Sequence, residues 1–418
     1  MTGAIEDALR PLDAATVTGL FPSPPRLLAL GEPVHGQATL LALRNALFRH
    51  LVEQEHYRTI ALETDCLRAS LVDDYVTGGE GTLEEVMEHG FSHQWFNVSE
   101  GNRALLRWMR AYNEGRPAAR QVRFAGFEAP LEEYGAASPR QALTLLHSFL
   151  AARVAVERLP CTAEDLDTLL GEDGRWTEPG AMMDPAQSVG RTKKAERLGE
   201  IAAELAALVA EAAPGAAEAV AEAEREEWDL ARRHGRTAVG LLRYHHWMAD
   251  SSPSRVGRLL GQREAMMAGN LLALAERGPV LANGHNGHLQ RGHSSMRMGE
   301  ELVQWPSGGL AVSERLGAGY GVLTTLIGTL RHRDVGVPAP DTIEGVLHAL
   351  TDGPSLLDAR RLASAVEGLG LVHRESEWYG YSPTNPDQLG RSDAIVFVGE
   401  VVEEIAGDAA EEAVQGEG

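Results

Sequence analysis

The stretch Leu28-Ala-Leu-Gly-Glu32-Pro-Val-His35-Gly36 decides how this chain is read. The apolar run from Arg26 to Leu30 reads as a buried strand, and Gly31 ends it. Glu32 and His35 then fall on the turn. An amphipathic helix follows from Thr39 to Leu51, with Leu40, Leu43, Leu47 and Leu51 on one stripe. A second apolar run, Thr59-Ile-Ala-Leu-Glu63, again finishes on an acid. Strand, helix, strand within roughly forty residues is the βαβ pattern, and that implies a parallel sheet. Chemistry in open sheets of this kind collects in the crevice beyond the carboxyl ends of the strands.

Working outward, residues 1–25 read as a short helix and a Pro-rich lead-in. A helix over 66–88 is interrupted by Gly78, Gly79 and Gly81. Ser99 is a cap for the helical run that ends near Tyr112 and Asn113. A third strand, Gln121-Val-Arg-Phe-Ala-Gly-Phe-Glu128, ends on a third acid. From about 138 to 276 strand signals vanish, and Pro214-Gly215 inside the Ala/Glu/Leu-rich segment 194–233 marks a helical hairpin. The loop 171–190, which holds Trp176, has no period. Strands resume at Gly278-Pro-Val-Leu-Ala-Asn283, which runs into Gly284-His285-Asn-Gly-His288, and again at Gly309-Leu-Ala-Val and Asp393-Ala-Ile-Val-Phe-Val. The expected class is therefore α/β, with a mostly parallel central sheet flanked by helices. Residues 1–137 and 277–405 supply the sheet, 138–276 form a helical insertion over its edge, and 406–418 are a disordered acidic tail. A purely structural helical layer explains 138–276 equally well.

Composition narrows the function classes. The chain of 418 residues is 44 % hydrophobic and 23 % charged, enough to bury a substantial core. A formal charge of −22 argues against a nucleic-acid partner, which needs clustered Lys and Arg. Cys66 and Cys161 have no metal or redox spacing and suit a reducing cytoplasm. The N-terminus lacks the blocks of a secretory signal, and no apolar run reaches the ~18 residues of a membrane span. The expectation is a soluble cytoplasmic protein with a small-molecule partner, neither membrane-bound nor nucleic-acid-binding. Its oligomeric state is open.

No Gly-x-Ser-x-Gly elbow, His-Glu-x-x-His, Cys-x-x-Cys or phosphate-binding glycine loop is present. Gly317-Ala-Gly-Tyr-Gly321 reads as a turn. What remains is Glu32, His35, Glu63, Glu128, His285 and His288 at expected strand ends. Singly, each acid caps a helix or pairs with an arginine, and each histidine is a hydrogen-bonding residue in a loop. Together, on one edge of a parallel sheet, they converge. A carboxylate that fixes an imidazole's tautomer raises its basicity, so such a cluster activates water. The same residue types also hold a divalent metal. Arg44 and Arg263 are candidates for binding an oxyanion or a substrate carboxylate, or for a salt bridge to Glu32 or Glu63. His93 and Trp95, and His245-His246 beside Trp247, are pocket candidates that core packing explains equally well.

The ordered blocks resemble the erythromycin esterase family, whose members are often labelled succinoglycan biosynthesis proteins. Gly31-Glu-Pro-Val-His35-Gly is similar to its Gly-Glu-x-x-His-Gly signature, followed by the helix carrying Arg44. Ala61-Leu-Glu63, Trp108-Met-Arg-Ala-Tyr-Asn113 and Phe124-Ala-Gly-Phe-Glu128 resemble the next blocks. Arg263-Glu-Ala-Met-Met-Ala-Gly-Asn270 is similar to an Arg-Asp-x-x-Met-Ala-x-Asn block, Gly284-His285-Asn-Gly-His288 to an Ala-His-Asn-x-His signature, and Met298-Gly-Glu-Glu-Leu302 to the segment after it. The resemblance implies a deep active-site cleft framed by helices, and hydrolysis of a macrolide lactone without a covalent serine intermediate. In that picture His35 is the general base, Glu32 and Glu63 orient or charge-stabilise it, His285 and His288 position water or substrate, and Arg44 and Arg263 complete the polar site. Neither a cofactor nor a metal is carried over. The chain departs from the pattern at Gln37-Ala-Thr39, at Asn283-Gly284 where the family has Trp-Ala, and at Glu264 where it has Asp. The shared apparatus with an altered shell points to a different substrate. Three functions fit: a serine-independent esterase or lactonase for a bulky natural product, in resistance or biosynthesis; a biosynthetic enzyme using the cluster for cyclisation, elimination or epimerisation; and a non-catalytic small-molecule binding protein.

Overall fold

The computed structural model describes all residues except 1–4, 7, 93–98, 133–134, 215–221, 300, 352, 377, 379 and 403–418, and the side chains of 132, 222 and 223. The acidic tail 406–418 thus lies outside the described residues. The described strands are β1 (Arg10–Pro11), β2 (Leu27–Glu32), β3 (Thr59–Asp65), β4 (Arg123–Glu128), β5 (Leu131–Glu132), β6 (Gly135–Ala136), β7 (Val280–His285), β8 (His293–Met298), β9 (Glu301–Pro306), β10 (Tyr320–Thr329), β11 (Ser355–Asp358) and β12 (Ala394–Glu400). Eight of them form one sheet in the order β1-β11-β12-β10-β2-β7-β3-β4. From β12 to β4 every neighbour is parallel. The other margin is antiparallel, β11 to β12 and β1 to β11. The expected α/β class with a mostly parallel sheet is what the chain forms.

Alternation along each strand feeds two faces, because successive side chains point to opposite sides of a sheet. Leu28 and Leu30 of β2, Ile60 and Leu62 of β3 and Leu281 of β7 enter one core. It is completed by Leu40, Leu47, Phe48 and Leu51 of the helix Ala38–Gln54 and by Leu105 and Met109 of the helix Glu100–Asn113. Leu27 and Ala29 of β2, Ala61 of β3, and Val280 and Ala282 of β7 enter the opposite core, against Met267, Ala268 and Leu271 of the helix Arg255–Arg277. Between residues 138 and 276 the described residues form helices and 3-10 turns. Arg140–Ala151, Ala163–Leu170, Lys193–Ala212 and Glu222–Met248 share a core of their own. Trp176 ties the 171–190 loop into that core, its indole Nε1–H donating to Leu170 O at 2.9 Å. Among the described residues no helix is long and apolar enough to cross a membrane.

One expected strand needs correction. Gly309-Leu-Ala-Val lies in the helix Gly308–Leu316, capped by Ser307, whose hydroxyl accepts the Leu310 N–H. The strand expected there begins at Tyr320, straight after the Gly317–Gly319 turn, and β10 is buried along its whole length. The interruption expected within 66–88 at Gly78, Gly79 and Gly81 divides that stretch into two helices, Ala69–Val76 and Leu83–His89.

Candidate active site

Strand order explains why the acids and imidazoles meet. β2, β7, β3 and β4 are consecutive neighbours, so their carboxyl ends bring Glu32, His285, Glu63 and Glu128 to one edge. Glu32 and His285 are register partners. Gly36, at φ +72°, turns the chain from β2 towards its helix and leaves His35 over this edge.

Two imidazole–carboxylate pairs face one another across Glu63. His35 Nδ1 lies 2.8 Å from Glu32 Oε1, and its Nε2 stands 3.8 Å from Glu63 Oε2. His288 Nδ1 lies 2.6 Å from Glu264 Oε1, and its Nε2 is 3.2 Å from Glu63 Oε1. Glu63 Oε2 also accepts the His285 backbone N–H at 2.7 Å. The His285 ring sits between the other two, with centroids 5.6 Å from His35 and 6.0 Å from His288. Its Nδ1 accepts the Gly287 N–H at 3.1 Å, which leaves the ring proton on Nε2, and the Pro33 carbonyl interacts with that ring. Arg263 donates through Nε and Nη2 to Glu128 Oε2, the former at 2.8 Å, and its Nη2 stands 3.5 Å from Glu63 Oε1. Glu128 Oε1 accepts the Ala129 N–H.

These contacts set the charges. Burial pulls each imidazole towards neutrality, and whether it succeeds depends on nearby carboxylates. At His35 the charge of Glu63 and then the bond and charge of Glu32 outweigh burial, so its pKa is raised. At His288, Glu264 and Glu63 overcome burial and the opposing Arg263, lifting it to about 10. At His285 burial wins, helped by the charges of His35 and His288, and the ring is held down to about 3. Glu63 stays well below the usual carboxylate range although burial opposes this, because His288, His35 and Arg263 surround it. Burial raises Glu128, against the pull of Arg263. The centre is a compact ionic network in which one ring is neutral and one firmly cationic.

The structure thus assembles Glu32, His35, Glu63, His285 and His288, with Arg263 and Glu128 at their border. The other candidates have these partners among the described residues. Arg44 is buried between two helices, donating to Asn45 Oδ1 at 3.1 and 2.9 Å and to Asn102 Oδ1 at 2.9 Å. His246 packs edge-on to Trp247, while its neighbour His245 bonds Ala137 O at 2.9 Å and meets Trp176. His93 and Trp95 lie outside the described residues. Glu264, absent from the expected site set, is the counterpart of Glu32. Its signal was an acid adjoining Arg263. Trp305 was missed as well, because nothing in the sequence ties β9 to this edge. Among the described residues no group of three or more His, Cys, Asp or Glu is arranged to hold a metal ion.

Comparison with known proteins agrees with this architecture. The model of the family described as erythromycin esterase matches residues 52–401, a span that begins after the Glu32–His35 turn. No curated protein matches the chain. Three solved structures share the fold. A Bacillus cereus protein is 16 % identical with a TM-score of 0.71, covering 97 % of this chain and 98 % of its own. A succinoglycan biosynthesis protein is 15 % identical with a TM-score of 0.67, covering 96 % of each chain. A mutant erythromycin esterase in its open conformation is 18 % identical with a TM-score of 0.64, covering 94 % of this chain and 95 % of its own.

Proposed function

Because the chain belongs to the erythromycin esterase family, we propose that it is a hydrolase that opens an ester or lactone of a bulky natural product, such as a macrolide, using water activated by the His/Glu cluster. The observation that carries this reading is the His35–Glu32 bond of 2.8 Å. A buried carboxylate on Nδ1 fixes the ring and directs Nε2 towards the centre of the cluster, where a base is useful.

In the first step His35 Nε2 takes a proton from water as the water oxygen bonds to the acyl carbon. The carbonyl electron pair moves onto its oxygen. Arg263 and the cationic His288 supply the positive charge that this oxyanion requires. The tetrahedral adduct then expels the alkoxide, and the proton held by His35 neutralises it, leaving an acid and an alcohol. His285, neutral and donating from Nε2, keeps the turn at Pro33 in place. No serine is needed at any step.

Mass spectrometry of macrolide lactones and simpler esters incubated with the protein tests the proposal. A product heavier by one water supports it. A product of unchanged mass, or one lighter by water, contradicts hydrolysis and selects the cyclase, lyase or epimerase reading. Saturable binding with no product selects the binding-protein reading.

A further inference from the structure

We propose that Glu264 is a positioning residue that locks His288 as a hydrogen-bond donor facing Glu63, and so fixes which of the two facing imidazoles supplies charge and which takes a proton. This rests on the hydrolytic reading above and assigns a role to a carboxylate outside the expected site set.

The chemistry follows from the partners of Glu264. It is 2 % exposed in the helix Arg255–Arg277, and such burial is costly for a carboxylate unless donors surround it. Three do so. Trp305 Nε1–H reaches Oε1 at 3.1 Å, the Gly308 N–H reaches Oε2 at 2.7 Å, and His288 Nδ1 completes the set at 2.6 Å. Gly308 begins the helix Gly308–Leu316, whose first-turn amides favour an anion. Both indole and amide can only donate, so the two oxygens are acceptors and His288 Nδ1 must carry a proton. Its other nitrogen faces a second acceptor, Glu63 Oε1, at 3.2 Å. A ring between two carboxylates donates from both nitrogens.

Most of the elements packed here bring a titratable group to His288, while β9 and the helix Gly308–Leu316 bring the Trp305 indole and the Gly308 amide. Glu264 and Arg263 come from one helix, Glu63 from β3, Glu128 from β4, His285 from the end of β7, and His35 from the turn after β2. Arg263, and His35 when it is protonated, oppose a cationic His288, whereas His285 is neutral. The oxygens of Glu63 and Glu264 outweigh them, and Arg263 is itself engaged by Glu128. Removing the Glu264 charge leaves Glu63 alone against Arg263. An acid one residue from that arginine therefore controls the imidazole more than the arginine does.

The test is a nitrogen-15 NMR titration of the histidine rings in the full chain, with no substrate, for the wild type, Glu264→Gln and Glu264→Asp. The wild type is expected to keep both His288 nitrogens protonated across the neutral range. In Glu264→Gln the ring should titrate about two pH units lower, while Glu264→Asp, which keeps the charge, should stay close to the wild type. A purely structural role predicts that Gln and Asp perturb the ring alike, and that result overturns the proposal. So does a wild-type His288 that titrates as an ordinary imidazole, or one that Glu264→Gln leaves unmoved. Ester turnover against pH, read in parallel, should have its descending high-pH limb moved down by about two pH units in Glu264→Gln. If no ester is turned over, the hydrolytic reading fails, and the ring titration still decides the role of Glu264.

Discussion

At the scale of the residue, Glu63 is the pivot, and its neighbours show how little room it has. A Cβ on Gly284 would come within 2.7 Å of Phe127 Cζ and 2.8 Å of Glu63 Oε2. The absence of a side chain at Gly284 thus leaves space for this carboxylate. Gly284→Ala should push Glu63 away from both imidazoles and lower ester turnover on the order of 10- to 100-fold. Steady-state kinetics would check it, and unchanged turnover would contradict it. The protonation of His35 makes a second prediction. A base must be neutral to accept a proton, and its carboxylate neighbours raise this ring above the ordinary imidazole value. As pH falls through that raised value the ring becomes charged and activity is lost. The acid limb of kcat/KM should therefore lie above pH ~6.5. A limb centred below it would contradict the assignment.

At the scale of the element, the strands carrying acids were legible because their signal is local. A short apolar run, a stop and a following amphipathic helix found β2 and β3, and Gln121–Glu128 found β4. Tertiary placement was not local. Arg44, nine residues after His35, lies buried between the helices Ala38–Gln54 and Glu100–Asn113 and donates to Asn45 and Asn102, partners that sequence spacing does not show. Arg44→Met should cost about 2–3 kcal/mol of stability by stranding those buried amide oxygens. Denaturant unfolding measures this. A loss below 0.5 kcal/mol, on the order of an ordinary surface change, would mean that the arginine holds no structure here. The misread strand at Gly309 has a similar origin. Gly-Gly-Leu-Ala-Val is short, apolar and without a strand or helix period of its own. The Ser307 cap before it was the better signal.

At the scale of the whole molecule, the site depends on an order of strands that adjacency in sequence does not reveal. β7, formed more than two hundred residues after β2, inserts between β2 and β3 and brings His285 between Glu32 and Glu63. The shared edge followed from a parallel sheet, whereas the pairing of His288 with Glu264 required the path of the long helix beside it. The helices between 138 and 276 separate these two parts of the sheet in sequence. Ala129, Leu131 and Ala136 join them to the end of β4 through Leu241, Tyr244 and Met266.

The proposed role of His35 as the group that activates water has its direct test in the removal of that imidazole. Wild type and His35→Ala, matched for folding by circular dichroism and thermal unfolding, would be incubated with a lactone that the wild type opens. Product would be followed by its gain of one water. Loss of a general base should slow opening by about 10²- to 10⁴-fold. A folded His35→Ala protein that opens the lactone at the wild-type rate would contradict the account.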